Sequence, residues 1–289
     1  MRVVVANMYV HNRKISQAVG VLERLRPDLL LACEAPDFHD DLARVGTVHG
    51  KPEGSRGARE CVVVTSGNVM VEKSQTIQLT EHVGGPSGHP QYWQDRWATL
   101  VWCTVDGDRV LAVSWHGNAA IKRRRSPGAV QYAAGMRKLT DIVEREAELG
   151  WAPVVGGDAN YAPPKVGKPW RWSPNRLFGD MGLVVRAHRI DQLVTDPLRH
   201  VVVGFDTLAD PPGADHDWIV ADLRPVRPIP LMTRVERAQK HLTVAGESLS
   251  KAAALLEDAG NRPAVQPKGR ELAHIATRVA EIADQLPER

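Results

Sequence analysis

Eight polar residues of this 289-residue chain stand where short apolar runs stop or start. Asn7 follows Val3-Val4-Val5-Ala6, and Glu34 follows Leu29-Leu30-Leu31-Ala32-Cys33. His116 follows Leu111-Ala112-Val113-Ser114-Trp115. Asp158 and Asn160 follow Pro153-Val154-Val155 within Gly156-Gly157-Asp158-Ala159-Asn160. Asp191 opens a run after Arg189-Ile190, and Asp215-His216 precedes another that includes Trp218. Carboxylates with an amide oxygen, here Glu34 and Asn7, suit a hard divalent cation. Imidazoles exchange protons near neutral pH. Such groups together could neutralise a phosphoryl group and orient a water for attack on it. Taken singly, each has a plainer explanation. Asn7 reads as a turn residue, Asp158 as a cap and His116 as a satisfied core histidine.

The elements that must position these residues are legible as apolar runs. The Val3–Ala6 and Leu29–Cys33 segments read as strands buried on both faces. Between them Ile15, Ala18, Val19, Leu22 and Leu25 follow helical spacing, and Pro27-Asp28 stops the helix. Further strands are expected at Cys61–Thr65, Ala98–Val105, Val110–Trp115, Val154–Gly156, Gln192–Thr195 and Trp218–Leu223. Asp106-Gly107-Asp108 should turn a hairpin between the middle pair. Ala129 to Leu149 reads as a helix, and 160–179 as loop. In layered α/β folds, ligand sites collect at the carboxyl ends of strands.

In order, Asn, Glu, His, Gly-Asp-x-Asn, Arg-Ile-Asp and Asp-His make the chain resemble the endonuclease/exonuclease/phosphatase superfamily, the DNase I-like group. The segments that carry the resemblance are Val4–Asn7, Arg26–Glu34, Gly157–Asn160, Arg189–Asp191 and Ala214–His216, and it spans residues 2–226. Two departures are visible. Ala214 stands where the group usually has Ser, and Asp217-Trp218-Ile219 replaces a common Pro-Val continuation. The resemblance implies a four-layer α/β/β/α sandwich over residues 1–226. It implies Glu34 as principal ligand of Mg²⁺ or Mn²⁺, with Asn7 beside it and Asp215 adding charge. Asp158 would orient or deprotonate the attacking water, and Asn160 would hydrogen-bond the phosphate. His216, held by Asp191, would bind the phosphate or donate a proton. His116 would act on the leaving group. Arg96 is a candidate substrate contact or a surface arginine.

The implied reaction is phosphodiester hydrolysis on DNA or RNA by an endonuclease or exonuclease. Lys122, Arg123 and Arg124 follow His116 and could grip a phosphate backbone or merely be solvated. Trp170, Arg171 and Trp172 alternate rings and cation, as base-stacking platforms do, or cover the core. A phosphatase or phosphodiesterase on a small or lipid phosphoester is the first alternative. A noncatalytic binding module of the same fold is the second. A zinc site from His82, His89 and His116 matches no common spacing.

Composition sets outer limits. With 43% hydrophobic and 25% charged residues the chain is an ordinary globular protein. Its net charge of +3 does not by itself indicate nucleic-acid binding. Cys33, Cys61 and Cys103 lack CxxC spacing and should be reduced, buried thiols. No apolar stretch is long enough to span a membrane, and a cytoplasmic location is expected. After the proline-rich stretch 225–230, residues 227–289 show apolar spacings of three and four around a break at Gly260–Gly269. This heptad-patterned helical hairpin would pack on itself or the main domain, or form a homodimer or partner contact.

Overall fold

The computed structural model describes residues 1–82, 95–118, 127–161, 170–226 and 242. Lys122, Arg123, Arg124, His89 and the C-terminal hairpin lie outside the described residues. The chain divides into two units, Met1–Arg227 and Pro228–Arg289.

The first unit contains, in chain order, β1 (Arg2–Asn7), α1 (Ile15–Leu25), β2 (Leu29–Cys33), α2 (His39–Leu42), β3 (Thr47–His49), α3 (Arg56–Arg59), β4 (Val62–Thr65), β5 (Met70–Thr80), β6 (Arg96–Val105) and β7 (Asp108–His116). There follow α4 (Pro127–Glu148), β8 (Ala152–Asp158), α5 (Pro174–Asp180), β9 (Val184–His188), β10 (Asp191–Thr195), β11 (His200–Leu208) and β12 (Trp218–Pro225). The strands form two six-stranded mixed sheets, ordered β11-β12-β1-β2-β4-β3 and β5-β6-β7-β8-β10-β9. Each is built on one parallel pair, β1 with β2 and β7 with β8, flanked by antiparallel strands. A helix connects each parallel pair, as parallel pairing requires. The expected four-layer α/β/β/α sandwich is present.

Side-chain alternation explains the layers. Along β1, Val3 and Val5 face the opposite sheet while Val4 and Ala6 face α1. The middle layer interleaves Val3, Val5, Leu29 and Leu31 with Val101, Ala112, Val154 and Leu193. One outer layer packs Ala18, Val19 and Leu22 of α1 on the first sheet. The other packs Met136, Leu139 and Val143 of α4 on the second. Truncating a fully buried residue such as Leu31 to Ala would cost about 2–5 kcal/mol.

Two buried hydroxyls tie the sheets together. Ser114 Oγ donates to Ala32 O at 2.7 Å, and Thr99 Oγ1 donates to Cys61 O at 2.6 Å. Gly156 lets the sheets close here: a Cβ would stand 2.7 Å from both Leu31 Cδ1 and Val5 Cγ2. The β6–β7 hairpin turns through Asp106 (φ 53°) and Gly107 (φ 84°), the positive values a tight two-residue turn needs. All three cysteines are free and buried, and burial holds their thiol pKa values up. The 160–179 segment is not all loop. Ser173 accepts from Arg176 N and Pro174 occupies the first turn, which starts α5. Among the described residues no helix is long and apolar enough to cross a membrane.

Candidate active site

One edge of the sandwich gathers the polar residues. The carboxyl ends of β1, β2, β7 and β8 carry Asn7, Glu34, His116 and Asp158. Antiparallel neighbours enter at the same edge, so residues at the starts of β4, β6, β10 and β12 meet them. Those residues are Glu60, Arg96, Asp191 and His216. Register makes the row explicit: His116 pairs with Asp158, and Asp158 pairs with Asp191. Glu34 (φ 54°) and Asn160 (φ 49°) hold left-handed backbone that non-glycine residues seldom adopt, as functional positions often do.

Among the described residues, two sets of ligand atoms lie within 4.8 Å of one another: Glu34, His116 and Asp158, and Asp158, Asp191 and His216. Asp158 is common to both and 2% exposed. Its Oδ1 accepts from Asn160 N at 2.6 Å. Its Oδ2 faces His116 Nε2 at 3.7 Å and His216 Nδ1 at 3.9 Å. Burial raises its pKa, against the pull of His116, the Asn160 N–H and His216. Glu34 Oε1 lies 3.8 Å from His116 Nε2. Asn7 presents its amide nitrogen to this cluster, donating to Glu34 Oε1 at 3.3 Å and Asp158 Oδ2 at 3.4 Å. Its oxygen, expected to face an ion, accepts from Tyr9 N at 2.9 Å.

His116 is held from behind by Glu60, which no sequence motif marks, and by Arg96. Glu60 Oε1 lies 3.4 Å from Nδ1 and accepts from Arg96 Nη1 at 2.7 Å. Asn118 Oδ1 accepts from Arg96 Nε at 3.1 Å. Burial pushes Glu60 up, but Arg96 and His116 outweigh it and draw its pKa down to about 2. Asn160 Nδ2 donates to Gly117 O at 2.9 Å and lies 3.0 Å from His116 Nε2. Arg96 Nη1, which carries two hydrogens, lies 3.2 Å from His116 Nδ1 besides its bond to Glu60. Each ring nitrogen of His116 therefore has both a donor and a carboxylate within reach. Arg96 is therefore buried behind His116, 9% exposed, rather than a surface arginine.

Asp191 and His216 form the second pair. His216 Nδ1 lies 3.0 Å from Asp191 Oδ2, at ion-pair distance but off a good hydrogen-bond line. Asp191 raises His216 to about 9, aided by Asp158 and Asp215 against partial burial. Burial raises Asp191 to about 6 despite His216. Between about 6 and about 9 the pair holds a carboxylate and an imidazolium. Asp191 Oδ1 is buried with no hydrogen-bond partner among the described residues.

Other expected residues lie elsewhere. Asp215 is exposed and belongs to neither cluster, though its charge reaches His216. Trp170 packs in the α4 layer with its ring 5.7 Å from that of Tyr132. Arg171 is exposed, and Trp172 is half-buried beneath it.

No protein-family model matches the sequence, and no curated protein matches it. Solved structures do match in shape. The human Nocturnin catalytic domain with bound sulfate shares 18% identity over 78% of this chain and 94% of that one, at TM-score 0.55. A Danio rerio TDP2 complexed with single-strand DNA product shares 10% over 78% and 98%, at 0.54. An endonuclease/exonuclease/phosphatase family protein from Bacteroides thetaiotaomicron shares 11% over 77% and 94%, at 0.52. The fold is that of the endonuclease/exonuclease/phosphatase superfamily. In this DNase I-like frame the cluster sits where both sheets present the carboxyl ends of their parallel pairs. Its donor set, two carboxylates in reach of one another with an imidazole beside them, fits a divalent cation.

Proposed function

We propose that the chain is a metal-dependent phosphodiester hydrolase, an endonuclease or exonuclease acting on DNA or RNA. One observation carries the reading: two ligand clusters sharing the buried Asp158 at the edge where both sheets end. Glu34 would be the principal ligand of Mg²⁺ or Mn²⁺, with Asn7 beside it and Asp215 adding charge from the rim. Bound there, the ion would neutralise phosphoryl charge and polarise a water.

The side chains take the remaining tasks. Asp158 Oδ2 is the oxygen not committed to Asn160, so it orients the attacking water and takes its proton. The water oxygen bonds to phosphorus as the ester P–O bond breaks. The imidazolium of His216 binds a phosphate oxygen. His116, with Glu60 beside its Nδ1, gives a proton to the leaving oxygen from Nε2. While Nε2 carries that proton it accepts nothing from Asn160, whose second Nδ2 hydrogen is free for the phosphate.

The test is hydrolysis of single-stranded DNA, duplex DNA, RNA, inositol phosphates and bis(4-nitrophenyl) phosphate, with Mg²⁺ or Mn²⁺ and with EDTA. Nucleic acid should be cut with metal only, and Asp158→Asn should lower kcat about 10²–10⁴-fold. Cleavage of inositol phosphates alone would overturn the substrate. Absence of any hydrolysis, or an unimpaired Asp158→Asn, would overturn the reaction.

A further inference from the structure

The segment before α5 sends alternate tryptophans to different places. Trp170 joins the core and packs on Tyr132, whose ring lies against Gly117 beside His116. Trp172 joins none of the three apolar layers. Two guanidiniums lie over its ring instead, Arg171 at 4.6 Å and Arg137 of α4 at 4.7 Å. Both arginines are exposed. Neither forms an ion pair among the described residues, whereas Arg145 and Arg176 each hold a carboxylate.

Two cations on one ring, neither ion-paired among the described residues, repel each other, and an anion bound by both would relieve that repulsion. We propose that Trp172, Arg171 and Arg137 form a shelf for single-stranded nucleic acid at the catalytic edge. This rests on the reading of the chain as a nucleic-acid hydrolase. The guanidiniums meet phosphates, and the indole face that a guanidinium vacates stacks an unpaired base. The Tyr132–Trp170 contact joins the shelf to the His116 wall, and Trp170 to Trp172 spans at most about 7 Å of chain. A duplex keeps its bases stacked on each other and cannot use the ring in this way.

Binding is measured directly, so the shelf is tested apart from turnover. Fluorescence anisotropy of a labelled single-stranded oligonucleotide is titrated in EDTA, with a duplex of the same sequence as comparison. Arg137→Gln combined with Arg171→Gln should weaken single-strand binding about tenfold. It should also flatten the log Kd against log salt slope by about 0.7 for each phosphate no longer neutralised. Trp172→Ala should weaken binding about 5–100-fold, within the range for one base–aromatic stack. Trp172 is half-buried, so its fold is checked by circular dichroism. The exposed arginine pair keeps the test open if that variant unfolds. Unchanged affinity and slope in the arginine variant would overturn the shelf. Equal binding of the duplex, with equal losses, would overturn its single-strand character. Hydrolysis of bis(4-nitrophenyl) phosphate by the unaltered protein reports on the catalytic reading separately.

Discussion

His216 shows how a single contact sets a working pH. Its folded pKa, about 9, lies above the ordinary histidine value, so the imidazolium persists through neutral pH and is lost as pH rises through about 9. Asp191, raised to about 6, loses its charge as pH falls through that value. Hydrolysis should therefore be bell-shaped, with limbs near 6 and 9. Asp191→Asn removes the principal cause of the raised histidine. Its alkaline limb should move down toward about 6.5, and an unmoved limb in a kcat/KM–pH profile would remove His216 from that titration. The Glu60–Arg96 pair is a second residue-scale case, because both side chains are largely buried, at 4% and 11% exposed. Glu60→Ala leaves a buried guanidinium uncompensated and should cost about 3–5 kcal/mol in denaturant unfolding. Glu60→Leu with Arg96→Met should restore most of that stability, since paired apolar replacements often do. It should not restore turnover, because His116 loses the carboxylate at Nδ1. Recovery of both would make the pair structural only.

Elements differ in how openly the sequence declares them, and the reason is position within a sheet. All eight inner strands, β1, β2, β4, β6, β7, β8, β10 and β12, stand out as apolar runs because both faces are covered. Of the four edge strands, β3, β5 and β9 do not, and β11 carries such a run, Val201-Val202-Val203, although Val201 and Val203 are exposed. The first half of Met70–Thr80 is exposed at every residue but Val71 and reads Glu-Lys-Ser-Gln, so no apolar run marks it. Val184–His188 and Thr47–His49 are only partly covered. The site follows the same rule. Residues at the carboxyl ends of inner strands are legible from the runs they terminate. Glu60 also stands before a run, but no motif marks it, and the antiparallel β2–β4 pairing brings it beside Glu34. The loop before β12 shows what a connection contributes. Asn12 Nδ2 donates to Met8 O at 3.2 Å and Pro212 O at 3.0 Å, clamping the loop that carries His216 to the loop after β1. Gly213 (φ 72°) fits beneath it, where a Cβ would stand 2.0 Å from Asn12 Oδ1. Gly213→Ala should cost about 1–3 kcal/mol through that backbone strain, with kcat falling more than KM rises. Unfolding curves and steady-state kinetics check this, and an unaffected kcat would show that the clamp does not position His216.

At the scale of the molecule, the two sheets repeat one plan: a parallel pair joined by a helix, with antiparallel strands outside. Stacked with their carboxyl ends at one edge, they bring together residues as far apart in the chain as Asn7 and His216, which no local pattern could place. The order of the motifs along the chain implies that convergence through resemblance, whereas apolar runs alone do not separate a sandwich from a doubly wound sheet. The same plan bears on the C-terminal segment. Among the described residues, the buried members of all three apolar layers lie between Val3 and Leu223. Among those residues the last backbone tie is Val226 N to Arg199 O at 2.9 Å. A chain ending at Arg227 keeps that tie, every layer and both ligand clusters. It should melt in one cooperative transition and hydrolyse nucleic acid within about threefold of the full chain, a difference under about 0.7 kcal/mol in the barrier. Thermal melting and kcat/KM of the two chains decide the matter. An insoluble fragment, or a loss beyond tenfold, would mean that residues 228–289 complete the catalytic unit rather than extend it.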